Sequence, residues 1–407
     1  KIEISFLISI KKLFLTYFLL EAMLMKRILI LLMINFLFIP VVSAEDLKLA
    51  ENAKSAILIE ASTGEVLFEK NADERLVPAS MTKMMSMLVI IEAIENGDLK
   101  WNQEIQVSEN ASSMGGSQIL LETGEKMSVR DLFKGVAIAS GNDAVVALAE
   151  AVAGTEDAFV QKMNDKAKEL GLKNTNFKNP HGLDTANHYS SARDMSLIAK
   201  ELVKHEKVLE FTSVYEDYLR ENTDRKIWLV NTNKLVRFYD GVDGLKTGFT
   251  EGAGYCLTAT AKKDGMRVIA VVMGEADSKT RNQEVSEMLD YAFAQYKLEN
   301  LLEDGYSLGE YKVYNGKDEF VTVVPKDGAT ILRKKGEKSS KATYEADVYE
   351  LKAPLKKGDV VGSLKIKEDG KVIRKVKLTV DKNVKKANYL ELLGRNIRDM
   401  VTGKINI

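Results

Sequence analysis

The sequence predicts a mixed α/β domain, a sheet covered by helices, followed by a small all-β domain. Three observations carry this expectation. Strand-like apolar runs stand at both ends of residues 45–300, with helix-like runs between them, so one sheet is assembled from both ends of that segment. Beyond residue 300, short alternating strands separated by Gly- and Lys-rich turns replace the helices. The charge changes sign at the same place: residues 45–300 carry −11 and residues 301–407 carry +7, within a 407-residue chain whose total is −1.

The total itself says little. A near-neutral chain has no nucleic-acid footprint, so no nucleic-acid partner is expected. A charged fraction of 29% with only five prolines describes folded, soluble structure. One cysteine, Cys256, excludes an intramolecular disulfide framework and a Cys-rich zinc site.

Residues 1–44 read as a leader. Met25-Lys26-Arg27 precedes the apolar run Ile28–Val42, and Val42-Ser43-Ala44 precedes Glu45-Asp46. A basic start, a short apolar stretch and small residues before a cut describe a secretory signal peptide starting at Met25 and cleaved after Ala44. A permanent membrane anchor is the alternative, which the short apolar run disfavours. Residues 1–24 are set aside from the fold. Export would place the protein outside the cytoplasm.

The elements then follow in order. Ser55–Ala61 and Glu65–Glu69 flank Ser62-Thr63-Gly64 and read as a hairpin. Ser80–Glu95 is a Met- and Ile-rich run ended by Asn96-Gly97, a buried helix with a glycine stop. Ser128-Val129-Arg130-Asp131 reads as a capping box opening another helix. Ala144–Ala153 and Glu156–Leu170 are helical, each followed by glycine. Asn174–Tyr189, with Asn179-Pro180 and His181-Gly182, reads as a long surface loop. Strands return at Ile227–Val230, Gly244–Gly248, Tyr255–Ala261 and Met266–Met273, the last two joined by Asp264-Gly265. A helix at Asn282–Tyr296 closes the region. The β-domain strands are expected at Tyr311–Tyr314, Glu319–Val324, Ala342–Glu350, Val360–Ile366 and Lys371–Val380.

Three short motifs carry chemistry. Ser80-Met81-Thr82-Lys83 places a hydroxyl and an amine on one helix face, so the amine can accept the serine proton. Alone this is weak, because the same spacing recurs at Ser9–Lys12 inside the leader. Ser140-Gly141-Asn142 joins two helical runs; a second S-x-N, Ser108-Glu109-Asn110, follows a strand-like run and reads as a turn or cap. Lys246-Thr247-Gly248 falls on a predicted strand, where a lone lysine would read as an edge residue. Together and in this order they form the set of class A β-lactamases and penicillin-binding proteins.

The chain resembles low-molecular-mass penicillin-binding proteins that are serine-type D-alanyl-D-alanine carboxypeptidases. The likeness extends through Val77-Pro78-Ala79-Ser80, Ile138–Ala144, His188–Met195 and Gly244–Gly248, and Ala353–Asp359 is similar to that family's C-terminal β-domain. The resemblance implies a β-lactamase/transpeptidase-like fold over residues 45–300 and a β-domain over 301–384. It implies that Ser80 attacks the D-Ala–D-Ala carbonyl, that Lys83 is the base and that Ser140 relays a proton to the leaving amine. Asn142, Lys246, Thr247, Gly248 and Arg281 would bind substrate, with the backbone N–H groups of Ser80 and Phe249 forming the oxyanion hole. For Lys83 to act near neutral pH its pKa must fall, which burial and the Lys246 cation can supply. No metal or other cofactor is implied; His181, His188 and His205 lack zinc-ligand spacing and are expected in loop or surface roles. The implied partners are the peptidoglycan stem peptide and β-lactams as covalent inhibitors.

A β-lactamase is disfavoured because the E-x-x-x-N pattern is missing (Lys173 stands four residues after Glu169) and because of the β-domain. A D,D-endopeptidase acting on cross-links, or a silent wall-binding protein, are the remaining alternatives. At the C-terminus, residues 385–407 place Tyr389, Leu393, Ile397, Met400 and Val401 at helical spacing, beside Lys385, Lys386, Arg395 and Arg398. This reads as an amphipathic helix for the outer face of a membrane, or for the protein's own surface.

Overall fold

The computed structural model describes residues 48–302, 305–326, 329–337 and 341–402. The expected leader, its cleavage site and the Ser9–Lys12 repeat of the motif lie outside the described residues.

A five-stranded antiparallel sheet organises the first domain. Its strands are β1 (Ser55–Glu60), β2 (Val66–Lys70), β3 (Val242–Thr250), β4 (Gly254–Lys263) and β5 (Met266–Glu275), in the order β2-β1-β5-β4-β3. The two ends of the domain therefore meet at the β1–β5 pair, where Ile57 stands opposite Val271. Both faces are covered. Ile57, Ile59, Ile269 and Val271 face a helical layer, while Ala56, Leu58, Val268 and Ala270 face the opposite way. That is why β1 is buried at every position rather than at alternate ones.

The helical layer is built around α1 (Lys83–Glu95), of whose 13 residues ten are buried. A helix apolar all round belongs inside a domain, and α1 fits that rule. Helix α3 (Asn142–Ala153) packs with it, as does Ala192–Leu202, and α2 (Val129–Ala139) packs in turn on α3. On the far face α4 (Ser278–Gln295) packs Val285, Met288, Leu289 and Ala292 against the sheet. It starts four residues before the expected Asn282, because Asp277 accepts from the backbone N–H groups of Lys279 and Thr280 as an N-cap. At α2, Ser128 caps Asp131 N as expected, but Asp131 accepts from the Ser128 hydroxyl instead of completing a capping box.

The second domain is the expected all-β module with extra strands. Its elements are β6 (Tyr296–Leu302), β7 (Glu310–Tyr314), β8 (Phe320–Pro325), β9 (Ala329–Lys334), β10 (Thr343–Val348), β11 (Leu351–Lys352), β12 (Gly362–Glu368) and β13 (Lys371–Val380). Six form a sheet, β10-β12-β13-β8-β7-β11, and β6 pairs with β9. The β6 strand runs across the expected boundary at residue 300. The expected helix ends at Tyr296 and the sequence marks no strand in the residues that follow; the pairing of Tyr296–Leu302 with β9 makes it one. Arg374 on β13 donates to the carbonyls of Thr63 (3.0 Å) and Ser62 (3.3 Å), in the turn joining β1 to β2. The buried Glu60 carboxylate stiffens that turn by accepting from the backbone N–H and hydroxyl of both residues.

Helix α5 (Tyr389–Val401) closes the described chain, capped reciprocally by Asn388 and Glu391. It has no buried residue, and Tyr389, Leu390, Ile397, Met400 and Val401 are exposed. Among the described residues no helix is long and apolar enough to cross a membrane.

Candidate active site

Ser80 lies in a single 3-10 turn, Ala79–Thr82, that runs directly into α1. The α-helix thus begins at Lys83 rather than at Ser80. Ala79 takes a φ of +49°, a value no α-helix contains. Two glycines make room for this turn. A β-carbon on Gly182 would stand 1.9 Å from the Ala79 carbonyl oxygen, and one on Gly248 would stand 2.8 Å from that of Pro78. The loop at Gly182 and the strand at Gly248 therefore approach the turn at backbone distance.

Lys83 is fully buried. Its Nζ lies 3.0 Å from Ser80 Oγ, 2.6 Å from Asn142 Oδ1 and 2.7 Å from the His181 carbonyl oxygen. Burial first, and the Lys246 cation second, push its pKa well below the usual lysine value, against a smaller upward pull from Asp143. Among these partners the carbonyl oxygens can only accept, whereas the Ser80 hydroxyl can donate or accept. A neutral amine keeps its two protons on Asn142 and His181, leaving its lone pair for the Ser80 proton.

Asn142 and Ser140 come from the junction of α2 and α3. Ser140 ends α2 with a φ of +64°, and its buried hydroxyl has no hydrogen-bond partner. Asn142 is held at both ends, its Nδ2 donating to the Gly115 carbonyl (2.6 Å) and its backbone N–H to that of Ser117 (2.7 Å). The buried Asp143 carboxylate accepts from the backbone of Ile119, Leu121 and Ala144, which ties loop 115–121 to the same junction. The other S-x-N candidate is a cap, Ser108 accepting from Ala111 N at 3.0 Å.

The opposite wall is β3, the outermost strand of the sheet. Lys246 is buried, and desolvation together with Arg281 lowers its pKa to about 7. Thr247 donates to Thr232 Oγ1 at 2.7 Å. The Phe249 ring is 53% exposed and stacks on Tyr255 with centroids 4.3 Å apart. Arg281, near the start of α4, is buried and bonds to Asn282 Oδ1. A cleft of about 460 Å³ brings Ser80, Ser117, Thr247, Gly248, Phe249 and Arg281 onto one surface.

Several contributors have no assigned role in the sequence reading. Asp143 and Gly182 stand inside segments quoted from the sequence, yet nothing in their spacing marks them. Thr232 and the His181 carbonyl carry no local signal. The segment Asn174–Tyr189 is not a surface loop, since Phe177, Asn179, His181 and His188 are all buried in it. His188 accepts from Lys178 N through Nδ1 (3.0 Å), which leaves its Nε2 proton for Thr82 Oγ1 at 2.8 Å. Burial holds its pKa down at about 4. Among the described residues no group of three or more His, Cys, Asp or Glu could hold a metal ion.

Fold and cleft together place the chain in the class of serine hydrolases, with Lys83 Nζ beside Ser80 Oγ. A family profile described as D-alanyl-D-alanine carboxypeptidase matches residues 41–277, and one described as penicillin-binding protein 5, C-terminal domain, matches residues 296–386. The chain is 50% identical over 384 residues to the D-alanyl-D-alanine carboxypeptidase DacF of Bacillus subtilis, covering 92% of this chain and 99% of that protein. Among solved structures it resembles penicillin-binding protein 5 from Haemophilus influenzae, with TM-score 0.66, 35% identity and coverage of 82% of this chain and 98% of that one. Penicillin-binding protein D2 from Listeria monocytogenes in its cefotaxime-bound form matches with TM-score 0.54 and 32% identity, over 60% of this chain and 97% of that one. The chain belongs to the D-alanyl-D-alanine carboxypeptidase family, and it is a serine-type carboxypeptidase.

Proposed function

We propose that the carboxypeptidase reaction runs through an ester on Ser80. The observation that carries this is the Lys83 amine, 3.0 Å from Ser80 Oγ and anchored on two carbonyl oxygens. Lys83 Nζ takes the Ser80 proton as Oγ bonds to the carbonyl carbon of the penultimate D-alanine. The backbone N–H groups of Ser80 and Phe249 hold the oxyanion. The C–N bond then breaks, and the leaving D-alanine amine receives a proton through the Ser140 hydroxyl, which has no competing partner. Water attacks the ester, Lys83 again takes a proton, and Ser80 is regenerated. The terminal carboxylate is bound by Thr247, Lys246 and Arg281, whose guanidinium suits it. Asn142 holds Lys83 and the substrate amide.

The substrate is the stem pentapeptide of peptidoglycan, and β-lactams acylate the same serine; the relative from Listeria with cefotaxime bound supports this. The protein acts outside the cytoplasmic membrane after export through its leader. Helix α5, with its exposed apolar side chains and with Arg395 and Arg398, lies on the membrane surface. The test is labelling with a fluorescent penicillin. The wild type is labelled and Ser80→Ala is not; an unlabelled wild type, or labelling that survives the substitution, overturns the assignment. A chain truncated before residue 387 that stays fully on membranes overturns the role of α5.

A further inference from the structure

Two rings in the wall of the active-site cleft, those of Phe249 and Tyr255, have no role in the removal of D-alanine. Strand register sets these residues opposite each other near the turn of the β3–β4 hairpin, so both side chains lie on one face of the sheet. The ring centroids are 4.3 Å apart and the planes are tilted by 35°. The Phe249 ring still stays half exposed, and both residues line the cleft. An aromatic surface open to a cleft is a surface for an apolar part of a ligand.

The strand fixes where the pair stands relative to the chemistry. Side chains alternate along β3. A β-carbon on Gly248 would meet the Pro78 carbonyl oxygen and the Ala79 β-carbon, so that position faces the Ser80 turn. Thr247 and Phe249 share the opposite face, about 7 Å apart along the strand. Arg281 lies on the same side. Burial lowers its pKa, while Cys256 and Tyr255 pull the other way, which puts its guanidinium beside the aromatic pair. In the proposed reaction the scissile carbonyl oxygen sits on the Phe249 N–H, and the terminal carboxylate sits on Thr247 and Arg281. The leaving residue therefore spans the edge of β3 from residue 249 to residue 247, and the two rings flank that span.

The pair is held from both strands. Thr250 Oγ1 donates to Asp184 Oδ1 (2.8 Å) and accepts from Ala253 N (3.0 Å), which fixes the turn after Phe249. Before Tyr255, Gly254 has a φ of +67°, and a β-carbon there would stand 2.8 Å from the Glu275 carbonyl oxygen. The start of β4 thus lies against the end of β5 at backbone distance. A surface fixed in this way loses little freedom when a side chain packs on it. A methyl group covers a small part of two rings, whereas a branched side chain covers much more.

We propose that the Phe249–Tyr255 pair selects the side chain of the leaving residue, so that the enzyme removes larger apolar D-amino acids, such as D-leucine, from the end of a stem as well as D-alanine. The inference rests on the Ser80 ester of the proposed function. Ser80 Oγ bonds to the carbonyl carbon of the penultimate D-alanine, and the C–N bond to the terminal residue breaks. The amine of that residue leaves with the proton relayed through Ser140, and water hydrolyses the ester. Only the group on the leaving α-carbon differs between the substrates.

The test uses the full chain and two pentapeptides that differ in the last residue alone, D-Ala or D-Leu, and reads kcat/KM for each. The wild type cleaves the D-Leu peptide within about threefold of the D-Ala peptide. Phe249→Ser lowers the D-Leu to D-Ala ratio about tenfold, and Tyr255→Ser lowers it about fivefold. Taking the ratio cancels any change in the oxyanion hole, because both peptides use the same Phe249 N–H. Melting temperatures confirm that the variants fold, and each reports alone if the other does not. A wild type that cleaves the D-Ala peptide but not the D-Leu peptide overturns the role of the pair and leaves the Ser80 reading intact; so does an unchanged ratio in the folded variants. Loss of both cleavages together with absent penicillin labelling overturns the Ser80 reading instead.

Discussion

Gly182 meets Ala79 so closely that a β-carbon at 182 would stand 1.9 Å from the Ala79 carbonyl oxygen. The contact joins the loop that supplies the His181 carbonyl to the turn that carries Ser80. Both ends of the Lys83 hydrogen-bond set therefore depend on a residue with no side chain.

Gly182→Ala is expected to damage the site more than the fold. Its φ of +89° adds strain of about 1 kcal/mol, and the overlap adds about 1–3 kcal/mol unless the turn moves. The turn is the softer partner, so penicillin acylation falls about a hundredfold while the melting temperature drops by only several degrees. Stopped-flow acylation and calorimetry on the same sample check this; acylation at the wild-type rate removes the constraint.

The pH dependence of acylation should report Lys83. Only the neutral amine can accept the Ser80 proton, so the rate rises with pH along a limb set by a lysine pKa well below 10.5. Lys246 contributes to that depression. In Lys246→Gln the neighbouring cation is gone, protonated Lys83 is favoured, and the limb moves to higher pH. The measurement is the acylation rate constant by a β-lactam from pH 5 to 10; a limb that moves down, or stays, contradicts the pairing.

Glu275 gives a separate signature in stability. Its carboxyl is buried next to Glu284, and burial with that neighbour raises its pKa to about 8. Glu284, which accepts from Asn52 and Ala53, is the partner held low. The folded state keeps the Glu275 proton that the unfolded state loses near pH 4.3, so stability falls as pH rises from about 4.3 to 8. Glu284 titrates below that window and does not oppose the trend. Glu275→Gln should therefore melt at a temperature less sensitive to pH between 5 and 8.5, which thermal scans at both values measure.

His188 acts in the opposite direction at lower pH. Its folded pKa of about 4 lies below the usual 6.5, so the unfolded state binds the proton first as pH falls. The neutral ring's contribution is complete above about pH 6.5 and is lost on acidification towards 4. His188→Gln, which can still donate to Thr82, should flatten that acid limb in urea unfolding at pH 4.5 and 6.5. A limb as steep as the wild type's would remove His188 as its source.

How far the site could be read in advance differs from residue to residue. Ser80 and Lys83 were legible because a three-residue spacing brings two side chains together in either a helix or a tight turn. Asn142 and Lys246 became legible only as members of an ordered set, since each alone resembles a cap or an edge residue. Asp143, Thr232 and the His181 carbonyl were not legible, because each acts on a partner distant in sequence through a direction that local pattern does not encode. The strand β6 was lost for the same reason, its character residing in β9.

The sequence by itself determined the two-domain α/β and β order, the hairpins and helices with clear periodicity, and the motif set that points to a lysine-assisted serine. Tertiary structure alone decided that Asn174–Tyr189 carries buried residues beside the site and that Lys83 is stripped of water between two carbonyl oxygens. Periodicity and spacing report interactions within a few residues along the chain. Desolvation and a carbonyl's direction arise only when segments up to a hundred residues apart are packed together, as His181 is on Lys83.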